Sequence, residues 1–145
     1  SGISGKRLVF AERVPRVEDH LARYRLADLF LDTWPYNAHT TAADALAVGL
    51  PVLTYQGGAF PARVASSLLH AMGLPELITQ SWADYEDLAL ALVRDPGRLS
   101  ALKAKLMANK ATHPLFDTEK FCRAFEDLLF SVAQRQPKAA SKTTI

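Results

Sequence analysis

Short apolar runs alternate along this chain with segments of helical periodicity, which predicts a parallel β-sheet with helices packed on it. Arg7–Phe10 reads as a first strand. The loop after it runs through Pro15 and Arg16 to a short helix over Glu18–Tyr24, with Glu18 and Asp19 suited to the positive end of the helix dipole. Leu29–Leu31 is continuously apolar, as strands buried on both faces are, and Asp32–Asn37 is a loop containing Pro35. A helix follows over Thr41–Val48, ended by Gly49, a residue tolerant of the left-handed conformation that closes helices. Pro51–Thr54 is a third strand, and Gln56–Phe60 a loop with paired glycines. Pro61 opens a helix that runs to Met72 and stops at Gly73.

Leu77–Ile78 reads as a short fourth strand. Ser81 with Asp84 resembles an acidic capping box before a helix ending near Arg94. Asp95 and Pro96 start another helix, with Leu99, Leu102 and Leu106 on one stripe. Asp117 caps a last helix, in which Phe121, Phe125, Leu128 and Val132 recur at helical spacing. Residues 1–133 thus form one partial Rossmann-like domain, and residues 134–145, polar and aperiodic, are expected to be a disordered tail. The sheet has only three or four strands, and the first begins almost at residue 1. The chain reads as a piece of a longer enzyme.

Composition narrows the class. The 145 residues are 49% hydrophobic and 22% charged, a globular rather than disordered balance. Seventeen Lys and Arg against fifteen Asp and Glu leave a net charge of +2, which gives nucleic-acid binding little support. No apolar run is long enough for a membrane span, and the N-terminus lacks a signal core, so no membrane partner is expected. One cysteine, Cys122, excludes an internal disulfide and fits a cytoplasmic location. Its neighbours Phe121, Phe125 and Leu129 make it read as an inert buried thiol.

In open parallel sheets ligands bind beyond the carboxyl ends of the strands. Three loops leave strands at that edge: Ala11–Val17, Asp32–His39 and Tyr55–Phe60. His39-Thr40-Thr41 stands at a helix start, where backbone N–H groups lack intrahelical acceptors and the dipole is positive. Asn37–Thr41 can therefore cradle a diphosphate without metal, and Asp44, a turn further on, suits ribose hydroxyls. The plain alternative is that Thr40 caps the helix and Asp44 favours its first turn. Val14-Pro15-Arg16 and His20 form a second cluster: a stiffened loop to meet a base edge and a ring to stack on it. Equally, His20 and Arg16 are ordinary surface residues. Gln56-Gly57-Gly58 permits close approach of a ligand or simply turns the chain, and Arg63 sits in the next helix's first turn.

Other chemistries find less support. The four histidines lack zinc-ligand spacing, Ser66-Ser67 lacks the nucleophile elbow, and neither GxGxxG nor a P-loop occurs. Lys103, Lys105 and Lys110 read as a solvated helix face.

Taken in order, Arg7-Leu8-Val9-Phe10, Val14-Pro15-Arg16 with His20, Leu26-Ala27-Asp28, Leu31-Asp32-Thr33, Asn37–Thr41 with Asp44, Gly49-Leu50-Pro51-Val52, Arg63–Ser67, Tyr85-Glu86-Asp87 and Pro114-Leu115-Phe116 carry a resemblance. The series resembles the C-terminal catalytic half of the O-GlcNAc transferases of glycosyltransferase family 41, over Arg7–Phe130. That resemblance implies a GT-B architecture of two Rossmann-like halves, this chain supplying the later part of the nucleotide-binding half. It implies that Val14, Arg16 and His20 contact uracil, that His39, Thr40 and Thr41 hold the diphosphate, and that Asp44 binds ribose. It further implies an inverting, metal-independent transfer of N-acetylglucosamine from UDP-GlcNAc to Ser or Thr hydroxyls of a protein acceptor, with no cofactor. By the same resemblance the acceptor site and tetratricopeptide repeats lie upstream, and no catalytic residue is assigned within the chain. The alternatives are another GT-B enzyme, such as a small-molecule glycosyltransferase or a UDP-sugar epimerase, or a non-catalytic nucleotide-binding or interaction module.

Overall fold

Three of the apolar runs find one another as parallel strands in a computed structural model that describes residue 2 and residues 4–135. Phe30–Leu31 (β1), Val52–Tyr55 (β2) and Ile78–Thr79 (β3) lie in the order β1-β2-β3. Leu31 pairs with Leu53, and Thr54 with Ile78. Val52, Leu53 and Thr54 of the central strand are fully buried, as a parallel strand covered on both faces must be. β1 departs from that expectation, because it is an edge strand and its Leu31 is 55% exposed.

The strand expected over Arg7–Phe10 does not form. A 3-10 turn occupies Gly5–Arg7, and Val9 and Phe10 beyond it are 90% and 87% exposed. A β-favouring sequence becomes a strand only where a neighbour accepts its backbone hydrogen bonds, and among the described residues this run has none.

Helices cover the sheet: Val17–Tyr24 (α1), Thr40–Ala47 (α2), Val64–Ala71 (α3), Trp82–Arg94 (α4), Pro96–Lys110 (α5) and Thr118–Gln134 (α6). Ser81, Asp95 and Asp117 cap α4, α5 and α6 as their positions predict, each accepting a backbone N–H from three residues on. α2 and α3 end alike. Gly49 N–H donates to the Leu46 carbonyl and Leu50 N–H to Ala45, while Gly73 and Leu74 do the same to His70 and Leu69. These paired bonds are Schellman closures, and both glycines adopt the positive φ the closure demands, +90° and +70°. Leu50 and Leu74 are thereby turned into the core with Leu46, Leu69, Leu77, Leu92 and Leu106.

α3 begins later than Pro61. A 3-10 turn spans Phe60–Ala62, and the helix starts only after Arg63. The carbonyls that would open a longer helix are taken by loop donors: Asn37 N–H binds Pro61 O at 3.0 Å and Gly57 N–H binds Ala62 O at 2.8 Å. The three lysines of α5 also do more than face solvent. Lys103 pairs with Asp28 at 2.7 Å, Lys105 with Glu76 at 2.6 Å, and Lys110 reaches the Ala47 carbonyl at the end of α2. Cys122 is exposed rather than buried, since the apolar face of α6 has no covering element among the described residues. Gln134 closes α6, and residues 136–145 of the expected tail lie outside the described residues.

The carboxyl edge of the sheet carries a buried polar seam. The register that sets Leu31 beside Leu53 brings Asp32 next to Thr54, whose hydroxyl donates to Asp32 Oδ2 at 2.6 Å. Thr79 Oγ1 in turn donates to the Thr54 carbonyl at 2.9 Å. Tyr85 of α4 donates its hydroxyl to the Asp32 carbonyl at 2.9 Å. Beside the seam, the Trp34 ring stacks on Tyr55 at 5.7 Å, and Trp82 meets Trp34, Tyr55 and Tyr85 edge-on.

Two outcomes follow from these contacts. A Cβ at Gly73 would stand 2.4 Å from His113 Nε2 in a left-handed conformation, whereas one at Gly58 meets nothing within 4 Å. Gly73→Ala therefore lowers unfolding stability by about 1–3 kcal/mol, and Gly58→Ala changes it by less than about 0.5 kcal/mol, as read from denaturant midpoints. Burial, then the charge of Asp32, pushes the Tyr85 phenol up from 10.0 to about 12. The neutral phenol is thus favoured by folding, so its contribution is complete below pH 10 and is lost as pH rises to about 12. Tyr85→Phe flattens that part of the stability profile and removes the latest phenolate absorbance step.

Candidate functional site

The β1–α2 connection gathers the residues that the sequence placed at the ligand-facing edge. His39 occupies the N-cap of α2 in a non-helical conformation (φ −103°, ψ −88°) and supplies no side-chain cap. Thr40 and Thr41 are the first two helical residues, both exposed, so the threonine cap weighed as the plain alternative is absent. The first helical bond from this end runs from Ala43 N–H to the His39 carbonyl. Among the described residues, the N–H groups of Thr40, Thr41 and Ala42 have no protein acceptor at the positive end of the dipole. Ala42 is fully buried, but Thr40 and Thr41 are exposed, and their two N–H groups and two hydroxyls are an anion cradle in chemical terms.

The His39 ring is fixed from two sides. It stacks on Tyr36 at 5.0 Å with an 18° interplanar angle, and Phe60 meets it edge-on at 6.2 Å. Its Nε2 is buried and has no hydrogen-bond partner in the described protein. A buried ring nitrogen without a partner is costly unless something supplies one. Phe60 arrives from the loop after β2, so two of the three loops picked out from the sequence meet at this ring.

The second cluster reaches the same place through α1. His20 Nε2 lies 4.0 Å from Asp44 Oδ2, both side chains about one-third exposed. The Tyr24 ring packs edge-on against His20 at 5.3 Å. Burial, then the carboxylate of Asp44, raises the Tyr24 phenol, with Arg23 opposing. An open cleft of 480 Å³ runs past His20, Arg23, Tyr24, Phe30 and Leu31. A flat ring, a carboxylate acceptor and an apolar wall are what a nucleoside needs.

Not every candidate joins them. Val14 is half-buried in the loop ahead of α1, and Arg16, the N-cap of α1, pairs with Glu18 at 3.6 Å in solvent instead of turning to His20 or Asp44. Gly57 makes room for protein rather than for a ligand, since a Cβ there would meet Ala62 Cβ at 2.7 Å and Trp34 Nε1 at 3.0 Å. Arg63 is exposed at the N-cap of α3, lining a surface hollow with Phe60 and Ser67. Among the described residues no three His, Cys, Asp or Glu side chains gather as a metal site would need, and no helix is long and apolar enough to cross a membrane.

Four residues that build the site were given no role in it by the reading of the sequence: Tyr36 and Phe60, which hold His39, and Asp32 and Tyr85, which hold the loop and stood only among the residues that carry the resemblance. Asp32 did leave a signal. A carboxylate directly after an apolar strand-like run, with a threonine at the matching place on the next, is out of keeping with a core unless the two bond to each other.

Comparison with known proteins matches the chain to a family. The glycosyl transferase family 41 model matches residues 1–125. The UDP-N-acetylglucosamine–peptide N-acetylglucosaminyltransferase of Caenorhabditis elegans is 37% identical over 92% of this chain, and the probable enzyme of that name, SEC, from Arabidopsis thaliana is 36% identical over 90%. The chain spans only 12% and 13% of the lengths of these relatives. A solved O-GlcNAc transferase variant from Thermobaculum terrenum superposes with a TM-score of 0.82 at 38% identity, over 88% of this chain and 24% of that one. The parallel sheet with flanking helices is therefore the α/β fold the sequence implied, and the chain belongs to glycosyl transferase family 41.

Proposed function

We propose that this chain is the donor-nucleotide-binding part of a protein O-GlcNAc transferase, and that the uncapped start of α2 beside His39 holds the diphosphate of UDP-GlcNAc. The observation that carries the reading is the coincidence of two exposed threonines, each with a free N–H and a hydroxyl, and an unpartnered buried His39 Nε2 beside them. The printed names of the relatives supply the donor and the peptide acceptor.

In this reading Thr40 and Thr41 donate to phosphate oxygens through backbone and hydroxyl. His39 Nε2, held by Tyr36 and Phe60, gives a further bond in the tautomer that protonates it. Asp44 accepts from the ribose hydroxyls, with His20 alongside to face the base. Val14 and Arg16 meet the uracil edge when the loop ahead of α1 closes on the ligand.

The reaction is a displacement at the anomeric carbon of the sugar. The acceptor Ser or Thr oxygen forms the new bond as the bond to the β-phosphate oxygen breaks, the hydroxyl proton passes to the departing phosphate or to water, and UDP leaves with the electron pair, giving inversion. Negative charge grows on the β-phosphate in the transition state, so donors already aimed there stabilise the transition state more than the ground state. The helix start does this without a metal ion. The protein acceptor and the remaining catalytic groups are placed on other segments of the full-length enzyme, in the cytoplasm.

Titrating UDP into the full-length protein by calorimetry tests the site. Binding is expected to be the same in Mg²⁺ and in EDTA, within about twofold. His39→Ala with Asp44→Ala weakens it by roughly a hundredfold, two lost charge- or ring-assisted bonds at about 1.4 kcal/mol each. Thr40→Val with Thr41→Val keeps the N–H groups and loses about fivefold. Unchanged affinity in the first double variant sinks the assignment. Binding of UDP with no transfer from UDP-GlcNAc to any protein would favour a nucleotide-binding module over an enzyme.

A further inference from the structure

The connection between β1 and α2 runs through Thr33–Ala38, and its exposed residues Trp34, Pro35 and Tyr36 give it little core of its own. Its two ends are nevertheless fixed to one atom. Asp32 Oδ1 accepts the N–H of Thr33 at 2.8 Å, where the loop begins, and the N–H of Ala38 at 2.7 Å, where it ends. Ala38 is the residue immediately ahead of the His39 N-cap. Between these points Thr33 Oγ1 donates to the Tyr36 carbonyl at 2.8 Å, and Asn37 Nδ2 to the Thr33 carbonyl at 2.9 Å.

Asp32 is itself held from two other elements. Thr54 of β2 fills Oδ2 at 2.6 Å, and Tyr85 of α4 fills the carbonyl at 2.9 Å from 53 residues away. All three oxygens of this buried residue, 5% exposed, are engaged. A carboxylate bonded to Ala38, immediately ahead of the His39 N-cap, works against an anionic ligand by charge. Its place there is explained by geometry: one carboxylate oxygen can bridge two N–H groups while the other takes a hydroxyl.

We infer that Asp32 and Tyr85 are positioning residues for the nucleotide site, clamping the β1–α2 loop so that the start of α2 and His39 meet the diphosphate without rearrangement. The clamp rests on the reading that α2 receives the diphosphate. It deepens that reading by assigning donor affinity to two residues that touch no ligand. A loop fixed beforehand spends no binding free energy on ordering itself.

The experiment uses the full-length protein, with UDP affinity by calorimetry, separate KM values for UDP-GlcNAc and for an acceptor peptide, and thermal melts. Asp32→Ala is expected to weaken UDP binding roughly tenfold or more, and Tyr85→Phe about three- to fivefold, with the acceptor KM unmoved. Asp32→Asn keeps the oxygen that bridges Thr33 and Ala38, and its amide can donate to Thr54. It therefore restores UDP affinity to within about threefold of the unaltered protein. Should Asp32→Ala not fold, Tyr85→Phe and Thr54→Val decide the matter, both expected to raise the donor KM alone.

Folded variants that bind UDP normally, while His39→Ala with Asp44→Ala does not, overturn the clamp and leave the site standing. Donor KM, acceptor KM and melting temperature moving together mean that Asp32 and Tyr85 only hold the fold, which also overturns it. Normal UDP binding by the His39 and Asp44 double variant overturns the site and the clamp with it.

Discussion

The polar seam at the carboxyl edge of the sheet is the constraint on which the remaining architecture depends. The strands have two, four and two residues, so the ladder between them is short. Thr79 to Thr54 reinforces the β2–β3 ladder, and Thr54 to Asp32 carries the β1–β2 pairing one residue past its end, by side-chain bonds in a dry setting where each bond is strong and each omission costly. The apolar core beneath is non-directional: it holds α2, α3, α4 and α5 against the sheet but does not choose how far each strand runs. The seam sets the place where strands stop and ligand-facing loops begin.

Much of this was legible in the sequence because it follows from local rules. The strands at Leu29–Leu31, Pro51–Thr54 and Leu77–Ile78, the caps at Ser81, Asp95 and Asp117, and the stops at Gly49 and Gly73 are each written within a few residues. The failures share a cause. Arg7–Phe10 has the composition of a strand, but a strand needs a neighbour, and no local pattern reports one. Pro61 has the look of a helix start, yet its carbonyl is drawn to Asn37, twenty-odd residues earlier in the chain. Cys122 has apolar neighbours on a helix whose apolar side is uncovered.

The site divides in the same way. His39, Thr40, Thr41 and Asp44 lie within the first two turns of one helix and could be grouped by spacing alone. His20 comes to Asp44 only because α1 packs on α2, so its membership was a matter of resemblance until the fold supplied the contact. Tyr36, Phe60 and Tyr85 are aromatic residues of ordinary appearance. Phe60 and Tyr85 gain their role by meeting partners across the sheet edge, 21 and 53 residues away, separations over which a single sequence carries no signal, while Tyr36 meets His39 only because the loop between them folds ring onto ring.

The clustering of aromatic rings at this edge has an optical consequence. The chain has two tryptophans, Trp34 and Trp82, with ring centres 6.1 Å apart and both roughly half exposed beside the β1–α2 loop. Intrinsic emission therefore reports the state of the loop edge and hardly samples the leucine core between sheet and helices. Circular dichroism, dominated by the helices, reports the opposite region. A denaturation curve followed by emission will trace the fraying of the ligand-facing edge, and its midpoint need not equal the one followed by helix content even when the core unfolds in a single step.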